Sequence, residues 1–235
     1  MNTKNIKTIL FDSGRVLNHP RTGHWFIPPN FYKYVDEKIF KSLDKKEIEA
    51  AFYKAKEYIN HISMILTEEE ELEHFIKFYK IFSDELSELK LNKENIVNIA
   101  RDTVCNDDKF LFHEDVFQMI PKLSETYKLG VVSDTWPSLE RVFKNVGLRE
   151  YFSTFVMSSV LGVTKPHELM FNTALDEVNM EKDEVLFIDD NIRNVKGAID
   201  LGIDSILLIR EKGYINDSQY TCVGDLIELE ELLRK

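Results

Sequence analysis

A chain of 235 residues and 27.6 kDa is long enough for one sizeable domain, or for a domain that carries an inserted subdomain. Its 43% hydrophobic and 11% aromatic residues suffice for a packed core, and a net charge of −11 argues against a nucleic-acid or anionic-membrane surface as main partner. Cys105 and Cys222 lack zinc-ligand spacing and read as reduced thiols, and with no signal peptide and no membrane-length apolar run they predict a cytoplasmic protein.

The chain opens on "TILFDSGRVLNHP", Thr8 to Pro20, where a short apolar run suited to a buried strand ends at Asp12. Taken alone, Asp12 and Gly14 are ordinary turn punctuation. From about Asp36 to Cys105 the chain is charged and helix-periodic, in "DEKIFKSLDKKEIEAAFYKAKEYIN", "TEEEELEHFIKFYKIFSDELSEL" and "KENIVNIARDTVC". Thr67 and Glu70 have capping-box spacing, and glycine is absent from the whole span.

From about His113 short apolar runs alternate with amphipathic stretches. The predicted helix "HEDVFQMIPKLSETY" leads to the strand "KLGVVSD", then the helix "PSLERVFKNVGL" to the strand "TFVMSSV". The helix "PHELMFNTALDEVN" leads to "EVLFIDD", the helix "IRNVKGAIDLG" to "DSILLIR", and a helix "DLIELEELLRK" closes the chain. Nearly all-apolar strands separated by amphipathic helices predict a parallel sheet covered on both faces. The expected architecture is α/β: a doubly wound, Rossmann-like core over residues 1–19 and 106–235, interrupted after its first strand by a helical subdomain over 20–105.

Polar residues fall at the carboxyl ends of these strands, where open α/β sheets place their ligands. The candidates are Asp12, then Ser133 with Asp134, then Asp189 with Asp190, and Lys165 in the loop "GVTKP". Each has a plain structural alternative: a turn hydroxyl at Ser133, a surface charge at Lys165, a helix cap at Asp189–Asp190. Their recurrence at strand ends favours chemistry. Converging carboxylates repel unless a hard cation holds them, and oxygen ligands suit Mg²⁺. A carboxylate can also attack phosphorus as a nucleophile, with a lysine and a hydroxyl stabilising the transferring group.

With these residues in order, the sequence resembles the haloacid dehalogenase (HAD) superfamily of aspartate-nucleophile hydrolases over nearly its whole length. "ILFDSGRVL" resembles its first motif, which implies Asp12 as nucleophile and metal ligand and the Gly14 carbonyl as a second ligand. "GVVSD" resembles the second, with Ser133 on the phosphoryl oxygen, and "GVTKPHELMF" the third, with Lys165 steadying nucleophile and phosphate. "VLFIDDNIRNVKGAIDLGI" resembles the fourth: Asp190 matches the main metal-binding acid and Asp189 its neighbour. Asn194 stands where some members have a polar residue, and Val195 where others have a second acid. The helical block stands where subfamily I carries a substrate-selecting cap. The opening and fourth motifs most resemble the branch of sugar-phosphate phosphatases and epoxide hydrolase phosphatase domains. The resemblance implies a Mg²⁺-dependent phosphatase acting on a small phosphate ester or acyl phosphate through an aspartyl-phosphate.

Gly14 departs from the pattern. Most phosphatases of the superfamily have an Asp there as general acid and base, a role worth roughly 10²–10⁴ in rate. His19, Asp134 and His24 are possible substitutes, although a loop histidine is the simpler reading of His19. Arg15, Arg21, Trp25 and Phe26 belong to an aromatic and basic segment that serves packing or the substrate entrance equally well. Two alternatives stand beside the phosphatase: a catalytically weak relative that binds a ligand or partner protein, which Gly14 keeps open, and a metal-free haloacid dehalogenase, which the Asp189–Asp190 pair disfavours. A phosphoacceptor receiver domain is rejected, because its acidic pair precedes the phosphorylated Asp.

Overall fold

The computed structural model describes residues 5–210 and 219–234. It divides into two compact units. The first comprises the chain up to His19, Phe112–Thr135 and Leu139 onward, and the second comprises Pro20–Leu111 with Trp136–Ser138.

The first unit is built on a parallel sheet. Its strands are β1 (Thr8–Phe11), β4 (Lys128–Ser133), β5 (Phe152–Met157), β6 (Val185–Asp189), β7 (Asp204–Leu208) and β8 (Cys222–Val223), in the order β5-β4-β1-β6-β7-β8. Counted along the sheet, this is the doubly wound Rossmann order, with the direction of winding reversing between β1 and β6. Every residue of β1 and β6 is buried, which explains why both read as unbroken apolar runs rather than alternating ones. Helices α5 (Glu114–Ser124), α6 (Ser138–Asn145), α7 (Ser158–Leu161), α8 (Glu168–Val178), α9 (Ile192–Asp200) and α10 (Leu226–Leu233) fill the connections. The predicted strand "TFVMSSV" is shorter than its apolar run: it stops at Met157, and Ser158–Leu161 turns into α7 before Gly162 at φ 72°. Cys105 and Cys222 form no disulfide.

The second unit is helical: α1 (Glu37–Ser42), α2 (Lys45–Asn60), α3 (Glu68–Glu85) and α4 (Lys93–Cys105). The first predicted helical stretch is broken in two, because Asp44 caps α2 with its side chain on the Lys46 N–H. Thr67 caps α3 by accepting from the Glu70 N–H at 3.2 Å, but Glu70 reaches back to the Leu66 N–H instead of Thr67's own. A reciprocal capping box forms between Asn92 and Asn95 at the start of α4. Helix α3 buries Phe75, Phe78, Tyr79 and Phe82 at helical spacing, and Phe31, Phe40 and Phe52 join them in one aromatic core. Each such ring contributes about 1.5–3 kcal/mol of burial, enough to hold a helical unit of this size together. Two short strands, β2 (Asn18–Pro20) and β3 (Phe110–Phe112), carry the chain into and out of this unit.

Candidate active site

Because the sheet is parallel, β1, β4 and β6 all end on one edge, and the register sets Phe11 beside Val131 and Ile188. Asp12 follows Phe11 directly, its N–H donating to the Ile188 carbonyl at 2.8 Å, so it extends the sheet by one residue. Ser133 and Asp189 are the last residues of β4 and β6. Asp12 and Asp189 thus stand on the two strands that flank the reversal of winding, where the crevice of a doubly wound sheet opens.

Lys165 ties them together. Its ammonium donates to Asp12 Oδ1 at 2.6 Å and to Asp189 Oδ2 at 2.7 Å, with only 1% of its side chain exposed. Asp189 also accepts from the Asn191 N–H at 2.8 Å and from Asn194 Nδ2 at 3.0 Å, so its two oxygens serve three donors. Its neighbour Asp190 is more open and pairs with the Arg15 guanidinium at 3.4 Å. Asp134 stands at the rim, where its carboxylate accepts from the Lys165 N–H at 2.9 Å and so orients the third-motif loop.

The electrostatics are unbalanced. Carboxylate oxygens of Asp12, Asp189 and Asp190 all lie within 4.8 Å of one another. Three carboxylates face one buried ammonium and, on Asp190, the more exposed Arg15 guanidinium, so negative charge is in excess. The Asp12 carboxyl is pushed up to about 7, chiefly by burial and further by Asp189 and Asp190, against the opposing pull of Lys165. Burial and Asp189 likewise raise Asp190, while Arg15 opposes them. Burial on its own would lower the Lys165 ammonium, but Asp12, Asp189 and Asp134 outweigh it and hold its pKa above the ordinary lysine value. A divalent cation would offset this excess, and an all-oxygen donor set fits Mg²⁺. The residues present therefore fit the metal.

The loop after Asp12 is tightly organised. Ser13 accepts from Asn18 Nδ2 at 2.6 Å, and the Arg15 N–H donates to the Asn18 carbonyl. The positive φ in this loop, 62°, belongs to Arg15 and not to Gly14. Val195 is wholly buried, an apolar core position. Of the possible substitute acids, His19 lies with its ring 5.1 Å from His113. His24 belongs to the helical unit, packs 4.6 Å from Phe52, and burial lowers its pKa below the ordinary histidine value. Arg15, which the sequence places in a segment suited to packing or the substrate entrance, stands beside Asp190, and the signal for it is its position three residues after Asp12.

A family model described as haloacid dehalogenase-like hydrolase matches residues 30–208. The chain belongs to this family. Among curated proteins it is 32% identical over 114 residues to pyrimidine 5'-nucleotidase YjjG of Escherichia coli, covering 46% of this chain and 50% of that one. It is 31% identical over 95 residues to pyrophosphatase PpaX of Listeria welshimeri, covering 40% of this chain and 44% of that one. The chain thus spans about half the length of these relatives. A glyceraldehyde 3-phosphate phosphatase of Methanopyrus kandleri is 26% identical over 165 residues, 63% of this chain and 69% of that one. In fold, the chain matches an HAD phosphatase from Thermococcus onnurineus (TM-score 0.67, 19% identity, 97% of this chain and 98% of that one). A 2-haloacid dehalogenase from Pseudomonas syringae matches comparably (TM-score 0.66, 16% identity, again 97% and 98%). Among the described residues no helix is long and apolar enough to cross a membrane.

Proposed function

We propose that this hydrolase is a cytoplasmic, Mg²⁺-dependent phosphatase of small phosphate esters or acyl phosphates. The observation that carries the reading is the cluster of Asp12, Asp189 and Asp190 around one buried lysine at the crevice of the sheet. An excess of carboxylate charge favours a metal-assisted phosphatase over a dehalogenase that works without metal.

Asp12 is the nucleophile. One of its oxygens attacks phosphorus, the P–O bond to the leaving group breaks, and an aspartyl-phosphate forms; water then attacks that phosphorus and returns the free carboxylate. Lys165 holds Asp12 in place and faces the charge of the transferring group, with Ser133 as hydroxyl donor to a phosphoryl oxygen. Asp12, Asp190, Asp189 and the Gly14 carbonyl would hold Mg²⁺, which when bound neutralises phosphoryl charge. Gly14 supplies no proton, so the leaving group departs largely unaided.

The test is trapping. Beryllium fluoride, an acyl-phosphate mimic, binds the native protein in the presence of Mg²⁺ and not Asp12→Asn, and phosphate release from p-nitrophenyl phosphate disappears in the same variant and on chelation. Full activity in Asp12→Asn overturns the mechanism, and activity indifferent to chelator favours the dehalogenase.

A further inference from the structure

Among the described residues three other than glycine have a positive φ: Arg15, Lys90 and Asn179. Lys90 and Asn179 end helical turns, after Ser87–Leu89 and after α8, where the left-handed region closes a helix. Arg15 ends no helix. It lies in the loop after Asp12, at φ 62°, which a glycine would adopt without strain. The backbone enforces the conformation. The Arg15 N–H donates to the Asn18 carbonyl at 2.6 Å, and the Leu17 and Asn18 N–H groups donate to the Ser13 carbonyl at 2.8 and 3.0 Å. A side chain that this loop would adopt more easily without is thus kept beside the acidic cluster, and strain of this kind concentrates at functional sites.

The guanidinium does little for the fold. Among the described residues it meets one carboxylate oxygen, Asp190 Oδ2 at 3.4 Å, a single long contact instead of the two short ones its planar fork can make. The side chain is 68% exposed, and an exposed pair of this kind contributes little to stability. Asp12 has its own cation in Lys165, at 2.6 Å, so a phosphoryl group on Asp12 already has a positive partner. Arg15 stands instead beside Asp190, an oxygen of which lies within 4.8 Å of one of Asp12. Most of the fork is therefore left over, within the span of a small molecule bound at Asp12, and its contact with Asp190 shows that it accepts a carboxylate oxygen there. Asp12, Arg15, Lys165 and Asp190 all belong to the sheet unit.

We propose that Arg15 is a specificity-determining residue: its guanidinium takes a second anionic group, a carboxylate or phosphate on the leaving part of the substrate. The preferred substrates are then phosphate esters or acyl phosphates that carry another negative charge. The proposal rests on the phosphatase reading of Asp12 and Lys165.

The test compares meta-carboxyphenyl phosphate with meta-carbamoylphenyl phosphate in the presence of Mg²⁺, two aryl esters of nearly the same shape that differ by one charge. The native protein favours the carboxylate by about 10- to 100-fold in kcat/KM, the scale of a charge-assisted hydrogen-bonded pair. The difference lies in KM, because the group is remote from the breaking bond. The corresponding benzylphosphonates, which have no ester bond to hydrolyse, show the same preference in calorimetric Kd. Arg15→Gly abolishes both preferences while its urea midpoint stays at or above the native one, since glycine relieves the positive φ. Arg15→Lys keeps the charge without the fork and retains an intermediate preference. A ratio near one in the native protein overturns the proposal. So does an unchanged ratio in Arg15→Gly: with both rates kept, Arg15 is a counter-ion of Asp190, and with both rates lowered, it serves the phosphoryl group itself. No phosphate release from either ester and no binding of beryllium fluoride by the native protein overturn the phosphatase reading and this proposal with it.

Discussion

At the scale of single residues, two side chains and one missing side chain set the chemistry. Among the described residues Lys165 is the side-chain hydrogen-bond partner of Asp12, and it is buried with Asp12 and Asp189. Replacing it by methionine keeps the volume and deletes the charge, which leaves two buried carboxylates facing each other. We expect Lys165→Met to lose about 3–5 kcal/mol of stability in urea unfolding, the usual cost of removing one partner from a buried ionic set. Added Mg²⁺ should recover part of that loss, since the cation replaces the missing positive charge. Gly14 is the missing side chain. Its φ is not positive, so an aspartate can enter without the backbone strain that Arg15 already bears at φ 62°. With no proton donor, kcat/KM of the native protein should fall steeply as the leaving group becomes more basic, so aryl and acyl phosphates outrun sugar phosphates. Gly14→Asp should flatten that dependence by raising the rate on alkyl esters most. A flat dependence in the native protein would place the acid elsewhere, with His19 or Asp134 as the next variants to measure.

At the scale of elements, the site depends on how closely α9 approaches the loop that carries Lys165. A Cβ built on Gly197 would lie 2.2 Å from Pro166 Cβ, so only glycine permits this approach. The fit is what lets Lys165, one residue earlier in the chain, reach both Asp12 and Asp189. Gly197→Ala forces the Pro166 ring away from α9, and overpacking of this kind costs about 1–3 kcal/mol. The ammonium shifts with the ring, so kcat should fall in Gly197→Ala as well as stability. Ser205→Ala, on the neighbouring strand β7, serves as the control, because its hydroxyl donates to the local Ile203 carbonyl. Loss of stability in Gly197→Ala without loss of kcat would show that Lys165 keeps its place independently of α9.

At the scale of the whole molecule, stability is linked to the proton and, on the proposed reading, to the metal. His113 is drawn from its ordinary 6.5 to about 4, first by burial and then by the Arg210 and His19 charges, with Asp115 opposing. It is therefore neutral in the folded chain where the unfolded chain would bind a proton. Its contribution is complete above pH 6.5 and is lost as pH falls from 6.5 toward 4. Urea midpoints measured across that window should drop less steeply in His113→Leu than in the native protein. On the proposed reading Mg²⁺ would act in the opposite sense, stabilising the fold it binds by about 2.7 kcal/mol at a hundred times its dissociation constant. The melting temperature should rise with Mg²⁺, return on chelation, and cease to respond in Asp190→Asn.

What the sequence determined by itself is what local pattern controls. Unbroken apolar runs at "TILF" and "VLFID" mark strands buried on both faces, and acid, hydroxyl or glycine directly after such a run marks where the strand ends. The placement of Asp12, Ser133 and Asp189 at strand ends was legible for that reason, and so was the helical block, since its apolar spacing follows the helix period. Asn194 was legible only as a polar position, its bond to Asp189 being made across a turn that no spacing rule specifies. Tertiary structure alone decided that β1 lies between β4 and β6, which brings residues more than a hundred positions apart to one crevice. It alone decided that "SSV" leaves the sheet as a helix, and that Trp136–Ser138 joins the helical unit while its neighbours on both sides belong to the sheet. Glu71 shows the physical reason most plainly. In sequence it is one more acid in a solvated-looking run of glutamates; only the fold supplies the Ser138 donors and the Lys109 charge that make its burial affordable.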